Sequence, residues 1–151
     1  NPKHQNDRNR SIPADAIRHL LVDGIEWYAL QRDLRPEDGD ALGGLPITLL
    51  AQDFADFADT AAAIEQLDLV VSVDTSVAHL AGALGKPTWI LVPFAPDWRW
   101  LMRREDSPWY PSVRLLRQPA LGALDAQLER VRSELVRWAA DRAAPAPSRR
   151  T

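Results

Sequence analysis

Residues 69–92 read Leu-Val-Val-Ser-Val-Asp-Thr-Ser-Val-Ala-His-Leu-Ala-Gly-Ala-Leu-Gly-Lys-Pro-Thr-Trp-Ile-Leu-Val. The run 69–73 is β-branched and nearly all apolar, as a strand buried on both faces should be. Asp74, Thr75 and Ser76 are short polar residues of the kind that start helices. Val77, Leu80, Ala81 and Leu84 then recur at helical spacing, and Gly85 closes the segment. Pro87 leads into a second buried run over 88–92. Strand, helix and strand with short links predict parallel pairing, because two parallel strands need a crossover between them.

The alternation continues on both sides. Upstream, Pro13 at a first-turn position followed by Ile17, Leu20 and Leu21 predicts a helix over 13–22 that ends at Gly24. Residues 25–30 read as a short buried strand. Residues 31–46, with Pro36, Gly39, Gly43, Gly44 and Pro46, read as a loop, and 47–50 as a second short strand. Asp56 or Asp59 is placed to cap a helix running through 61–66. Downstream come a tryptophan-rich loop over 93–111, a strand over 113–116 and a long helix over 121–140. The expected fold is α/β, a parallel sheet covered by helices on both faces. It forms one domain over 1–141, followed by a tail over 142–151 whose Ala, Pro, Ser and Arg content predicts disorder.

The first ten residues are polar and read as a loop. A loop that runs into a helix usually leaves a strand, so the chain is expected to be the C-terminal piece of a longer one. A strand beside 69–73 would put that loop and the start of the 76–84 helix on one rim.

Composition excludes several classes. The chain has 151 residues, 46% of them hydrophobic, with no cysteine and a formal charge of −3. That rules out a disulfide scaffold and a cysteine nucleophile or cysteine metal site. Residues 33–68 concentrate acidic side chains against Arg35 alone, so the remainder is basic. An acidic domain of this kind is a poor partner for nucleic acid, where charge must neutralise many phosphates. No apolar run approaches the roughly 18 residues of a membrane span, and the opening residues do not have a signal-peptide pattern. A soluble, cytoplasmic protein is the expectation.

Ligands of open parallel sheets bind beyond the carboxyl ends of strands, near helix N-termini. The step from Val73 into Asp74-Thr75-Ser76 is therefore the first candidate site. Free backbone N–H groups, hydroxyls and the helix dipole favour an anion there, and His79 lies on the same face as Thr75. The competing reading is that Asp74 or Thr75 caps the helix and His79 is a satisfied core histidine. Arg8 and Arg10, two guanidiniums just ahead of a helix, are the second candidate, against a reading as a solvated basic arm. The third is Pro93-Phe94-Ala95-Pro96-Asp97-Trp98-Arg99-Trp100, whose tryptophans either build a stacking wall or pack the loop onto its own domain. No G-x-G-x-x-G, P-loop or G-x-S-x-G motif occurs, and His4, His19 and His79 lack metal-ligand spacing.

The segment Val-Asp-Thr-Ser-Val-Ala-His-Leu-Ala-Gly-Ala-Leu-Gly-Lys-Pro-Thr-Trp (73–89) resembles the V-D-T-[GS]-x-x-H-L-A-x-A-L-G-x-P pattern of heptosyltransferase-like glycosyltransferases. Pro-Phe-Ala-Pro-Asp-Trp-Arg-Trp (93–100), Arg-Glu-Asp-Ser-Pro-Trp-Tyr-Pro (104–111) and the opening residues 1–13 are similar to the bacterial branch in which tetratricopeptide repeats precede the glycosyltransferase. The resemblance implies one half of a GT-B fold, a Rossmann-like doubly wound sheet that binds a nucleotide diphosphate sugar as donor, with no cofactor and no metal. It implies that Asp74, Thr75 and Ser76 hold the diphosphate with His79 beside them, and that Arg10 or Arg8 supplies a phosphate-contacting cation. Gln31 and Phe54 fall where relatives contact ribose and base. Ser76 stands where glycine is commonest in heptosyltransferases, and its Cβ needs more room near a phosphate. The catalytic base would lie in an N-terminal GT-B domain, so this chain alone would transfer nothing. The alternative is a degenerate binding or scaffold domain of a repeat-containing protein.

Overall fold

The computed structural model describes residues 11–32, 34 and 36–143. Arg8, Arg10 and most of the expected tail lie outside the described residues. Among the described residues there are five short strands: β1 (Trp27–Ala29), β2 (Ile47–Leu49), β3 (Val70–Ser72), β4 (Thr88–Val92) and β5 (Val113–Arg117). β1 pairs in parallel with β2, Trp27 facing Ile47. β3, β4 and β5 form a second parallel sheet in that order, with Val71 opposite Trp89 and Ile90 opposite Leu115. The parallel α/β architecture expected from the alternation is present, and among the described residues its strands pair as two sheets.

Four α-helices among the described residues connect and cover the strands: α1 (Pro36–Gly43), α2 (Phe57–Gln66), α3 (Ser76–Ala83) and α4 (Leu124–Ala143). Alternation along β4 divides its side chains between the two faces. Trp89 and Leu91 join Leu20, Leu116, Leu128, Val131 and Leu135 in a core beneath α4. Ile90 and Val92 turn the other way, toward Ala78 of α3, Trp100, Val113 and Leu115. A third cluster joins Ile64 of α2 to Val70 and Ala81. All five residues of β4 are buried, as a central parallel strand requires.

The structure corrects four of these expectations. The helix expected over 13–22 is a 3-10 segment, Ala14–Leu20, packed on α4. Pro13 precedes it without a side-chain cap, and Leu21 is already extended. Within the stretch read as a loop, Pro36–Gly43 is helical. Proline suits a first helical turn and Asp38 complements the dipole there, which outweighs the cost of Gly39. β3 is buried only in part, because one of its edges has no partner strand among the described residues. The last helix, expected over 121–140, runs Leu124–Ala143, and Arg142 near its end reaches Asp68 at 2.8 Å.

Candidate functional site

The site grows from the turn between β3 and α3. Thr75 is the N-cap of α3 in extended conformation, and its side chain makes no capping hydrogen bond. Its hydroxyl instead lies 3.1 Å from Ser72 Oγ. The expected cap role therefore does not account for the Thr75 side chain, and α3 starts without a side-chain acceptor from its N-cap residue.

Asp74 is nearly buried, and a buried carboxylate needs partners. Its Oδ1 lies 3.3 Å from His79 Nε2, and its Oδ2 lies 3.5 Å from Arg99 Nη2. His79, one turn into α3, is half-exposed rather than buried in the core. Its Nδ1 lies 3.1 Å from the Tyr110 hydroxyl. Nδ1 shares a hydrogen bond with Tyr110 whose direction depends on the tautomer of the ring, and Nε2 faces the Asp74 carboxylate within ion-pair reach. The ring also stacks on Trp100, with centroids 5.3 Å apart and planes at 21°. With both nitrogens engaged, His79 acts here as the post that holds Asp74.

The loop after β4 supplies the other wall. Asp97 caps the short 3-10 segment Trp98–Trp100 by accepting from Arg99 N at 3.1 Å. Arg99 Nε also lies 3.2 Å from Asp97 Oδ1, at an angle that leaves Nε without a hydrogen bond. Two acids thus flank one guanidinium and fix its position. Arg117 secures the far side of the loop by donating to the carbonyls of Arg104, at 2.8 Å, and Trp100. Burial lowers the pKa of that guanidinium from its ordinary value, which leaves an arginine fully charged. Trp109 Nε1 donates to the Arg99 carbonyl at 2.8 Å, joining the two ends of the loop.

Between these walls lies an open cavity of about 210 Å3, lined by His79, Trp98, Arg99, Trp109 and Tyr110. Trp98 is 72% exposed and Trp109 54%, whereas Trp100 is fully buried. The two readings of the tryptophan-rich loop therefore divide by residue: Trp100 packs the domain, and Trp98 and Trp109 form a wall.

The structure gathers Asp74, Thr75, Ser76 and His79 in one turn. Gln31 follows the carboxyl end of β1, and Phe54 follows the 3-10 segment Ala51–Asp53. Neither lines the cavity. Residue reasoning missed Arg99 as a cation beside Asp74, and it missed Tyr110 and Gly82. A Cβ on Gly82 would stand 2.6 Å from Tyr110 Cγ, so glycine there lets the phenol lie against α3. The available signal for Arg99 was its place after a buried parallel strand, on the rim where ligands bind.

The sequence model of Glycosyltransferase family 9 (heptosyltransferase) matches residues 45–91. The segment is glycosyltransferase-like. It runs from β2 almost to the end of β4 and contains Asp74, Thr75, Ser76 and His79, but it stops before the loop with Trp98 and Arg99. The chain is also 37% identical over 86 residues to protein FlbA of Caulobacter vibrioides, an alignment that covers 57% of this chain and 14% of FlbA. The chain therefore spans about one seventh of that relative's length. No solved structure matches the chain. No helix among the described residues is long and apolar enough to cross a membrane.

Proposed function

We propose that this chain is the donor-binding part of a metal-independent glycosyltransferase, taking a nucleotide diphosphate sugar at the turn between β3 and α3. The observation that carries this reading is the knot of Asp74, His79 and Arg99 at the start of α3, beside an aromatic-walled cavity. Transfer of a sugar from such a donor builds negative charge on the leaving diphosphate. Backbone N–H groups of the first turn of α3, the Thr75 hydroxyl and Arg99 are suited to receive that charge. His79 acts on Asp74, and Asp74 sets the angle of Arg99. The indole faces of Trp98 and Trp109 suit a flat ring, whether sugar or base.

In this reading Gln31 and Phe54 meet the nucleoside, and Arg8 or Arg10 adds a further cation. The base that activates the acceptor belongs to an N-terminal domain of a longer cytoplasmic protein, with tetratricopeptide repeats ahead of it. A scaffold role is the second reading, favoured by the exposure of Phe94, Trp98, Met102 and Trp109.

An NMR titration of the chain with UDP, ADP, GDP and CDP tests the proposal. One nucleotide should shift the amides of residues 74–79 with Kd on the order of 1 mM or tighter. Arg99→Ala should weaken that binding about tenfold, and Thr75→Val should weaken it less, because a charged donor is worth more than a hydroxyl. Failure of all four nucleotides to move those amides, in the chain and in the full-length protein alike, overturns the donor site and leaves the scaffold reading.

A further inference from the structure

We propose that the Tyr110 hydroxyl donates to the diphosphate of the bound donor, and that a proton on His79 is what turns the phenol hydrogen into the cavity. This contact and its control extend the donor reading and rest on it. Tyr110 and His79 line the same cavity as Arg99, with Trp98 and Trp109 as its walls. The phenol is seated against α3. Its ring fills the space beside Gly82, and its hydroxyl lies 3.1 Å from His79 Nδ1.

A phenol has one hydrogen, and the ring beside it decides where that hydrogen goes. The Asp74 carboxylate, 3.3 Å from Nε2, can only accept, so it favours a hydrogen on that nitrogen. In the neutral ring so arranged, Nδ1 is bare and takes the phenol hydrogen. The Tyr110 oxygen then shows the cavity only lone pairs, which repel an anion. A protonated ring carries hydrogens on both nitrogens. Nδ1–H then donates to the Tyr110 oxygen, and the phenol hydrogen is released to a ligand. A proton on His79 thereby converts the hydroxyl from an acceptor into a donor, at the end of a polarised chain that starts on Asp74.

The surroundings of His79 suit this role. The charged and titratable groups around it are Asp74 from the turn, Arg99 from the loop after β4 with Asp97 beyond it, and Tyr110 from the end of that loop. Trp100 stacks on the ring and brings no charge. The ring is half-exposed, so a proton reaches it from water. Histidine is the side chain that ordinarily changes charge between about pH 5 and 8. An anion that binds the protonated arrangement better must, by linkage, favour that proton in return. Affinity for the diphosphate therefore rises as pH falls through this range, and bound diphosphate moves the protonation of His79 to higher pH.

NMR titration of the 151-residue chain with UDP-, ADP-, GDP- and CDP-glucose tests this. Amides 74–79 report affinity, and the His79 ring signals report its protonation. The doubly esterified diphosphate of these sugars keeps its charge near neutral pH, so proton linkage belongs to the protein. The sugar nucleotide that binds should do so about tenfold more tightly at about pH 6 than at about pH 8, and should raise the midpoint of the His79 titration. Tyr110→Phe keeps the ring beside Gly82 and removes only the hydroxyl. It should lose most of the gain at the lower pH and match the unaltered chain at the higher one. His79→Gln should bind with one affinity at both. The same pH dependence in the Tyr110→Phe chain, or a pH dependence that survives in His79→Gln, overturns the phenol switch and leaves the donor reading standing. No binding by any of the four, in this chain and in the full-length protein alike, overturns both.

Discussion

Gly82 carries more of the site than its size suggests. It has no Cβ, and Tyr110 occupies the space one would need, with Cγ only 2.6 Å from the position of that atom. The phenol ring in turn brings its hydroxyl to His79, which holds Asp74, which meets Arg99. Gly82→Ala adds helix propensity but forces an aromatic ring to move, and overpacking typically costs about 1–3 kcal/mol. We expect a lowered Tm and a changed near-UV circular dichroism signal, because Tyr110 leaves its seat. An unchanged spectrum with a raised Tm would mean that the ring has room to shift. That His79 shares a face with Thr75 was legible from their spacing at a helix start, whereas its contact with Asp74 was not. Tyr110 and Arg99 were not, because their approach is made by a returning loop and leaves no periodic signal.

Among the elements, α2 has the clearest local cause. Asp56, its N-cap, accepts from Ala58 N at 2.7 Å and from Asp59 N at 3.3 Å. Asp59 reaches back and accepts from Ala55 N at 2.8 Å, so the two acids satisfy the entrance together. Both were candidates from sequence, and each has a part. Asp56→Ala should cost about 1 kcal/mol, read as a Tm lower by roughly 3 °C. Asp56→Asn should recover most of it, since asparagine also caps. A full-size loss in the asparagine variant would show that charge matters more than the cap. Local chemistry was a poorer guide to α1, where proline and glycines read as a loop. It also misjudged residues 14–20, where the apolar positions suited a helix but the chain forms only 3-10 turns.

Across the whole molecule, an ion network ties the tryptophan-rich loop to the frame. The chain returns along the outer edge of β5, where Leu115 N donates to Glu105 O at 2.6 Å and Asp106 bridges Arg114. Glu105 meets Arg130 at 2.6 Å and Arg114 at 3.3 Å, while Arg114 forks onto Glu134 at 3.1 Å. Its hydrogen bond from Arg130 holds the Glu105 carboxyl below its ordinary value of 4.5, and Arg114 does the same for Glu134. A carboxylate whose pKa is lower folded than unfolded contributes stability that is complete above the unfolded value and fades as pH falls through the folded one. Tm should therefore decline as pH drops below about 4.5, and Glu134→Gln should flatten part of that decline. An acid limb of the same slope in both forms would place the pH dependence elsewhere. Sequence by itself determined the alternation of strands and helices, the burial of 88–92 and the clustering of Asp74, Thr75, Ser76 and His79. These follow from periodicity and cap chemistry, which act over a few residues. Only the tertiary structure decided that Trp98 and Trp109 face a cavity while Trp100 packs, and that Arg99 brings a cation beside Asp74. Those outcomes depend on contacts between residues far apart in the chain, formed where loop closure and packing bring them together.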